Sequence, residues 1–380
     1  MNTAIKSAAI GVVCATLFAA LGARANGVTD TSILLGQSAA FSGAVAPQVK
    51  ELTAGAQAYF ELVNRAGGVH GRKVVLESLD DGFDPKRAAE NTKKLIEEKK
   101  VFCLFLYRAT PTTEAAVPIF TQAKVPLVAP STGAQSMYTP VNQYLFPVRP
   151  SYHAETAKII EQLTSMGLKR IAIFHVDDSF GKDGLAGYQA AMKEKGLSPV
   201  AVVSYPRGTV KVEGAVKTIA EAKPQIVVMV SAANAGVAFI KQVRALGGSP
   251  PQFVLLSNVS SQAFIKDLGT DGRGVVVSQV GPYPFVAASS LVKEFQDAMK
   301  QHGKADVSYS SLEGYIAAKV MVEGLKRAGR QLNREKFIAA MESIRDVDLG
   351  GVRAKYSPTD RTGTTFVELT IIGKNGRFVK

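Results

Sequence analysis

Six runs in this chain are built around continuous apolar stretches without alternation: "VFCLFL" (101–106), "VPLVAP" (125–130), "RIAIFHV" (170–176), "QIVVMVS" (225–231), "QFVLLS" (252–257) and "GVVVSQV" (274–280). A strand with one face in water alternates apolar and polar residues. A strand that does not alternate is buried on both faces, and that is the condition of a parallel sheet packed between two layers of helices. "SILLGQ" (32–37) and "KVVLESLDD" (73–81) read as two further strands. Helical stretches separate them, over 48–64, 85–99 and 112–123 in the first part of the chain and over 154–166, 184–195, 212–222 and 235–246 in the second. Pro85 suits a first helical turn, where its missing N–H costs nothing. Two proline-broken segments, "YLFPVRPS" (144–151) and "GPYPF" (281–285), divide the pattern and suit crossings between lobes. Helices over 289–302, 309–328 and 334–344 follow, and "TTFVELTIIGKNGRFVK" (364–380) reads as a hairpin on a two-residue Asn375-Gly376 turn. The expected fold is α/β, with two doubly wound parallel-sheet lobes joined by a hinge of several crossings.

The first 25 residues stand apart. Lys6, the apolar run over 8–22 and the small-x-small triplet Ala23-Arg24-Ala25 have the form of a cleaved export signal, too short to span a bilayer comfortably. About 355 residues remain, which suits two domains better than one core. Removing Lys6 and Arg24 from the 45 basic residues leaves 43 against 32 acidic ones, a net charge of +11. These charges are spread along helices, with no basic block and no tryptophan, so a nucleic-acid partner is not expected. Only Cys103 remains as a thiol, in a buried-strand pattern, and a lone cysteine makes no internal disulfide. No histidine or carboxylate spacing suggests a metal or cofactor. "DDGFD" (80–84) lacks the alternating ligands of a calcium loop. "HVDDSFG" (175–181) holds His175, Asp177, Asp178 and Ser179, but groups adjacent at one strand end rarely converge as a triad, so hydrolysis is not expected.

Ligands of open α/β sheets sit at the carboxyl ends of the strands. Three successive first-lobe strand ends carry hydroxyls and no charge: Ser38 and Ser42, then Thr110 and Thr112, then Ser131, Thr132 and Gly133. Thr110 is placed to cap a helix beginning at Pro111, where exposed amides and the helix dipole favour an anion. The second lobe offers Phe180 as an apolar wall, and Ser231, Asn234, Ser257, Asn258, Ser260 and Ser261 at its strand ends. Gln48, near a helix start, and Tyr107, after "VFCLFL", complete the candidate set. Such donors suit a small carboxylate or carbonyl compound held without a lysine.

The segment "SGAVAPQVKELTAGAQAYFELVNRAGGVHGRKVVLESLDDGFDPKRAAENTKKLI", with "VPLVAPSTGA" and "KRIAIFHVDDSFGKDGLAG", closely resembles the leucine/isoleucine/valine type of periplasmic solute-binding protein that serves ABC importers. The resemblance covers nearly the whole chain after the leader. It implies a monomeric periplasmic protein, not an enzyme, that closes on a small-molecule ligand and delivers it to the importer's membrane permease. The alternative is a sensor that presents its ligand state to a membrane receptor. The expected divisions are 1–25 leader, 26–148 and 281–352 first lobe, 149–280 and 353–380 second lobe. Thr110 falls where the family holds the ligand carboxylate with a hydroxyl, and Ser131 and Gly133 fall at the next strand end, where the threonine hydroxyl usual at Gly133 is either missing or replaced by that of Thr132. Phe180 stands for a tyrosine and Ala233 for a second aromatic. Ser257 and Asn258 stand at or near the place where amino-acid binders carry a carboxylate for the ligand's ammonium, so a small carboxylate, an amide or an aromatic acid fits as well as an amino acid or better, with Asp177 or Asp178 as the substitute acid if the ligand is an amino acid. The family's first-lobe disulfide has no counterpart, because Phe83 occupies one of its positions.

Overall fold

The structure, a computed structural model, describes residues 27–43, 45–303 and 306–380. The expected leader lies outside the described residues. In chain order the first lobe runs β1 (Ser32–Ala39), α1 (Ala46–Arg65), β2 (Lys73–Asp80), α2 (Pro85–Glu97), β3 (Cys103–Phe105), α3 (Thr110–Gln122), β4 (Leu127–Val128) and β5 (Leu145–Phe146). The chain then builds α4 (Tyr152–Ser165), β6 (Ile171–Asp177), α5 (Ser179–Glu194), β7 (Ala201–Pro206), α6 (Glu213–Ala222), β8 (Ile226–Val230), α7 (Ala233–Ala245), β9 (Gln252–Leu255), α8 (Gln262–Leu268) and β10 (Val276–Gln279). Three helices follow: α9 (Ser290–His302), α10 (Tyr309–Ala328) and α11 (Arg334–Glu342). The chain closes with β11 (Val347–Asp348), β12 (Arg353–Ser357), β13 (Asp360–Thr364), β14 (Glu368–Ile372) and β15 (Phe378–Val379).

The first sheet has order β2-β1-β3-β4-β5 and is parallel throughout. The second has order β15-β14-β10-β9-β8-β6-β7, with only β14 and β15 antiparallel to their neighbours. The continuous apolar runs feed both faces of these sheets. Along β3, Cys103 and Phe105 enter one first-lobe core while Leu104 enters the other. Along β6, Phe174 and Val176 face one second-lobe core while Ile171 and Ile173 face the other. Each sheet is therefore covered on both sides. No helix among the described residues is long and apolar enough to cross a membrane.

Three details differ from the sequence reading. Helix α5 begins at Ser179, five residues before the expected 184, because the Asp178 side chain accepts from Gly181 N–H and starts the helix there. The C-terminal hairpin closes through five residues, with Gly373 N–H donating to the Arg377 carbonyl at 2.8 Å, and Asn375-Gly376 lies inside that loop. Finally, β11, β12 and β13 form a small antiparallel sheet of their own. Ala354 and Tyr356 lie in the first-lobe core, and the Tyr356 hydroxyl donates to the Pro147 carbonyl at 2.7 Å. The chain rejoins the seven-stranded sheet at β14, after these three strands.

Helices α9, α10 and α11 return to the first lobe, and α10 lies directly against α1. The two backbones touch where each helix carries a glycine. A Cβ on Gly55 would lie 1.7 Å from the Ser311 carbonyl oxygen, and one on Gly314 1.8 Å from that of Leu52. Gly55→Ala is expected to force the helices apart and cost about 1–3 kcal/mol, the usual penalty of overpacking. An unchanged urea-unfolding midpoint would refute this close-packed crossing.

Candidate functional site

Parallel β-α connections deliver helix N-termini to the same end of a sheet as strand C-termini. Four of them, from α1, α3, α5 and α7, meet around one cavity of about 220 Å³ between the lobes. An engineered cavity of roughly 150 Å³ holds a benzene ring, so this one holds a ring with a substituent.

The helix starts are unusual in what they lack. Seven of the eleven described helices have a side chain capping their first turn, among them Asp84, Ser151, Asp178 and Ser308. Helices α1, α3, α6 and α7 have none, and three of those four face the cavity. Their dipoles are directed toward whatever occupies it.

Thr110 does not cap α3 as expected. The capping position is Ala109, held at φ 75° and ψ 151°, a region that residues with a Cβ rarely enter. Thr110 is the first helical residue and lines the cavity, its hydroxyl 2.6 Å from that of Thr132. When Thr132 donates, the Thr110 proton is free for a ligand.

The residue before this strained position was absent from the sequence reading. Arg108 is 8 % exposed and lines the cavity. It donates to the Ser131 carbonyl (3.0 Å), to Gln48 Oε1 (2.9 Å) and, across the cleft, to the Asn258 carbonyl (3.0 Å). Among the described residues no carboxylate forms an ion pair with it. Burial lowers its pKa, countered in part by the fields of Tyr152 and Glu313. Glu313 is itself engaged by the Ser131 hydroxyl at 2.8 Å and by Arg149 at 3.5 Å.

The second-lobe wall is also charged. Asp178 binds Arg207 at 2.7 Å through one oxygen and caps α5 with the other. Arg207 then crosses the cleft, donating to the Phe83 carbonyl at 2.7 Å with its guanidinium 4.1 Å from the centre of the Phe83 ring. Phe83 has φ 68°, and Asp81 supports that turn by accepting its N–H at 2.9 Å. Burial pushes the Asp81 carboxyl up to about 6. The expectation of neutral donors alone is therefore corrected: the wall carries two guanidinium groups and one carboxylate.

Of the sequence candidates, Ser42, Gln48, Thr110, Phe180, Ala233, Asn234 and Asn258 line the cavity. Gln48 Nε2 donates to the Asn258 carbonyl from the opposite lobe. Asn258 Oδ1 is a buried acceptor without a hydrogen-bond partner among the described residues. The others lie behind the wall. Tyr107 turns away, its hydroxyl 3.0 Å from that of Thr92 on α2. Gly133 admits the first crossing, since a Cβ there would sit 2.7 Å from Tyr152 N. Ser257 is buried in a network in which Glu155 accepts from Ser257 N–H (2.9 Å), from the hydroxyls of Ser257 (3.0 Å) and Ser278 (2.5 Å), and from Arg149 (2.6 Å). It therefore braces the second lobe instead of facing a ligand. The "HVDDSFG" residues are likewise occupied. The His175 ring meets its neighbour's Val176 carbonyl at 2.9 Å, and Asp177 pairs with Lys182 at the surface. The aspartates of "DDGFD" accept from backbone N–H groups at turns and the start of α2.

Residues 32–376 match the family model described as periplasmic binding protein. The chain belongs to the periplasmic binding protein family. A curated relative, a Leu/Ile/Val-binding protein homolog 8 of Brucella suis biovar 1 (strain 1330), is 26 % identical over 359 residues, 91 % of this chain and 88 % of the relative. Among solved structures, a substrate-binding periplasmic protein from Ralstonia solanacearum superposes with a TM-score of 0.86 at 31 % identity, covering 92 % of this chain and 99 % of that one. A possible leucine/isoleucine/valine-binding protein from Rhodopirellula baltica SH 1 gives a TM-score of 0.87 at 28 % identity, with 92 % and 97 % covered. As a periplasmic binding protein the chain binds and does not catalyse, and the expected α/β architecture of two parallel-sheet lobes is the one found. The cavity between its lobes lies where strand ends and helix starts converge.

Proposed function

We propose that this protein captures a small carboxylate in the periplasm by closing its lobes, and delivers it to the permease of an ABC importer. The observation that carries the reading is the cavity's electrostatics: three uncapped helix N-termini and the buried Arg108 face one enclosed space. Each helix start favours an anion by about 0.3–1 kcal/mol at exposed sites and up to ~2 kcal/mol when partly buried. A buried guanidinium without a carboxylate partner gains most from an anion brought in by a ligand. Together such terms are of the size needed for micromolar capture, about 8 kcal/mol.

Closure follows from the contacts across the gap. Gln48 and Arg108 reach the Asn258 carbonyl, Arg207 reaches Phe83, and Gln135 N–H donates to Asp183 at 2.8 Å. These bonds join the lobes only when the cleft is shut, so a ligand that fills the cavity stabilises the shut form.

A thermal-shift panel of short aliphatic acids, aromatic acids, amides and amino acids tests the reading, because stabilisation follows ligand concentration over dissociation constant. At least one carboxylate is expected to raise the melting temperature, and amides without a charge are not. Thr110→Ala should weaken the best carboxylate about tenfold, the value of one hydrogen bond to a charged group. Unchanged affinity by calorimetry would remove Thr110 from the site.

A further inference from the structure

We infer that the ligand is an aromatic monocarboxylate that carries no ammonium group. The inference rests on the carboxylate reading above and narrows it.

The apolar wall is made of rings. Phe83 contributes from the first lobe, and Tyr152, Phe180 and Tyr205 from the hinge and the second lobe. Tyr152 and Phe180 meet at 5.0 Å with their planes inclined by 55°, which leaves faces and edges in different directions. The Tyr205 hydroxyl accepts from Ala232 N–H at 2.9 Å and keeps its own proton for a ligand oxygen, while its ring adds apolar surface to the wall. The aliphatic side chains of the wall are short, so a branched alkyl group would meet mainly ring faces. A planar aromatic body finds edge-to-face and offset partners on several sides. Ala233, small at an uncapped helix start, leaves the room such a body needs.

Charge fixes the rest. Two guanidinium groups against one carboxylate leave the wall with one surplus positive charge, which a single ligand carboxylate neutralises. A second ligand carboxylate would have no cation left. An ammonium would need Asp178, and both Asp178 oxygens are already engaged, by Arg207 and by Gly181 N–H. Asn258 Oδ1, a buried acceptor left without a partner among the described residues, is neutral and cannot balance a desolvated cation.

Titration calorimetry of the full mature chain with benzoate, phenylacetate, 4-methylpentanoate, phenylalanine and succinate decides the matter. Benzoate or phenylacetate is expected to bind at least about tenfold more tightly than each of the other three. Phe180→Leu should cut the preference over 4-methylpentanoate to roughly threefold or less. Equal or tighter binding of 4-methylpentanoate would overturn the aromatic assignment, tighter binding of phenylalanine the exclusion of ammonium, and tighter binding of succinate the single charge, each leaving carboxylate capture standing. Binding by none of the five, with no shift in melting temperature, would overturn this inference and the carboxylate reading together.

Discussion

Arg108→Gln is expected to weaken the tightest carboxylate of the panel about a hundredfold, some 2.7 kcal/mol, near the upper end for hydrogen bonds to charged groups. The loss should exceed that of Thr110→Ala, because a hydroxyl supplies one donor while the guanidinium supplies the charge that the enclosed wall lacks a partner for. Without ligand the melting temperature should move far less. Two effects oppose there: glutamine forfeits bonds to the Ser131 and Asn258 carbonyls, but it also removes the desolvation cost of a buried cation. The contrast separates a binding role from a structural one. Affinity within a few-fold of wild type would show that the helix starts hold the anion without Arg108. A fall in unliganded stability as large as the fall in affinity would recast Arg108 as a brace.

Glu155→Ala is expected to be the most damaging substitution for folding. Glu155 is fully buried, and it joins α4 to the ends of β9 and β10 through Ser257 and Ser278 while pairing with Arg149 at 2.6 Å. Burial opposes the charge of Arg149, but the neighbouring Glu313 and Glu155 carboxylates outweigh it and hold its pKa above the usual range. Removing Glu155 leaves the guanidinium with the more distant Glu313 and strands several donors. Breaking a buried pair from one side costs about 3–5 kcal/mol. The fall is to be read from urea-unfolding curves with the slope held, and a midpoint within error of wild type would show that the network contributes nothing net. Arg149 also lies on the first crossing between lobes and reaches Glu313 on α10 at 3.5 Å. The ions that secure the second lobe therefore also tie it to the first.

The parallel sheets were legible because their signal is local: an unbroken apolar strand needs two covered faces wherever it sits. The strand ends were legible as a neighbourhood for the same reason. What was not legible was which way each side chain turns after the strand stops. Leu106 at φ 56° and Ala109 at φ 75° bend the backbone on either side of Tyr107 and Arg108. Those bends send Tyr107 toward Thr92 and Arg108 into the cleft, although the sequence reading took the tyrosine as a candidate contact and left the arginine out. Ser257 was misplaced for a different reason. Its partner Glu155 lies 102 residues earlier on another element, and no local pattern announces that pairing. Arg207 and Phe83 meet from 124 residues apart, so their contact, too, belongs to the tertiary fold alone. The relevant signal for Arg108 was chemical: an arginine two residues before a threonine-proline helix start, with Glu114 as the nearest acid in the chain.

Cys103 is fully buried in the first core, and desolvation raises its thiol well above the ordinary range. It is the free cysteine of the described residues. A thiol so placed stays silent toward reagents in water. Reporter groups introduced at new cysteines on the two lips of the cleft would then be the ones that react, so lobe separation can be followed by fluorescence or spin labels without first stripping the protein of its native sulfur.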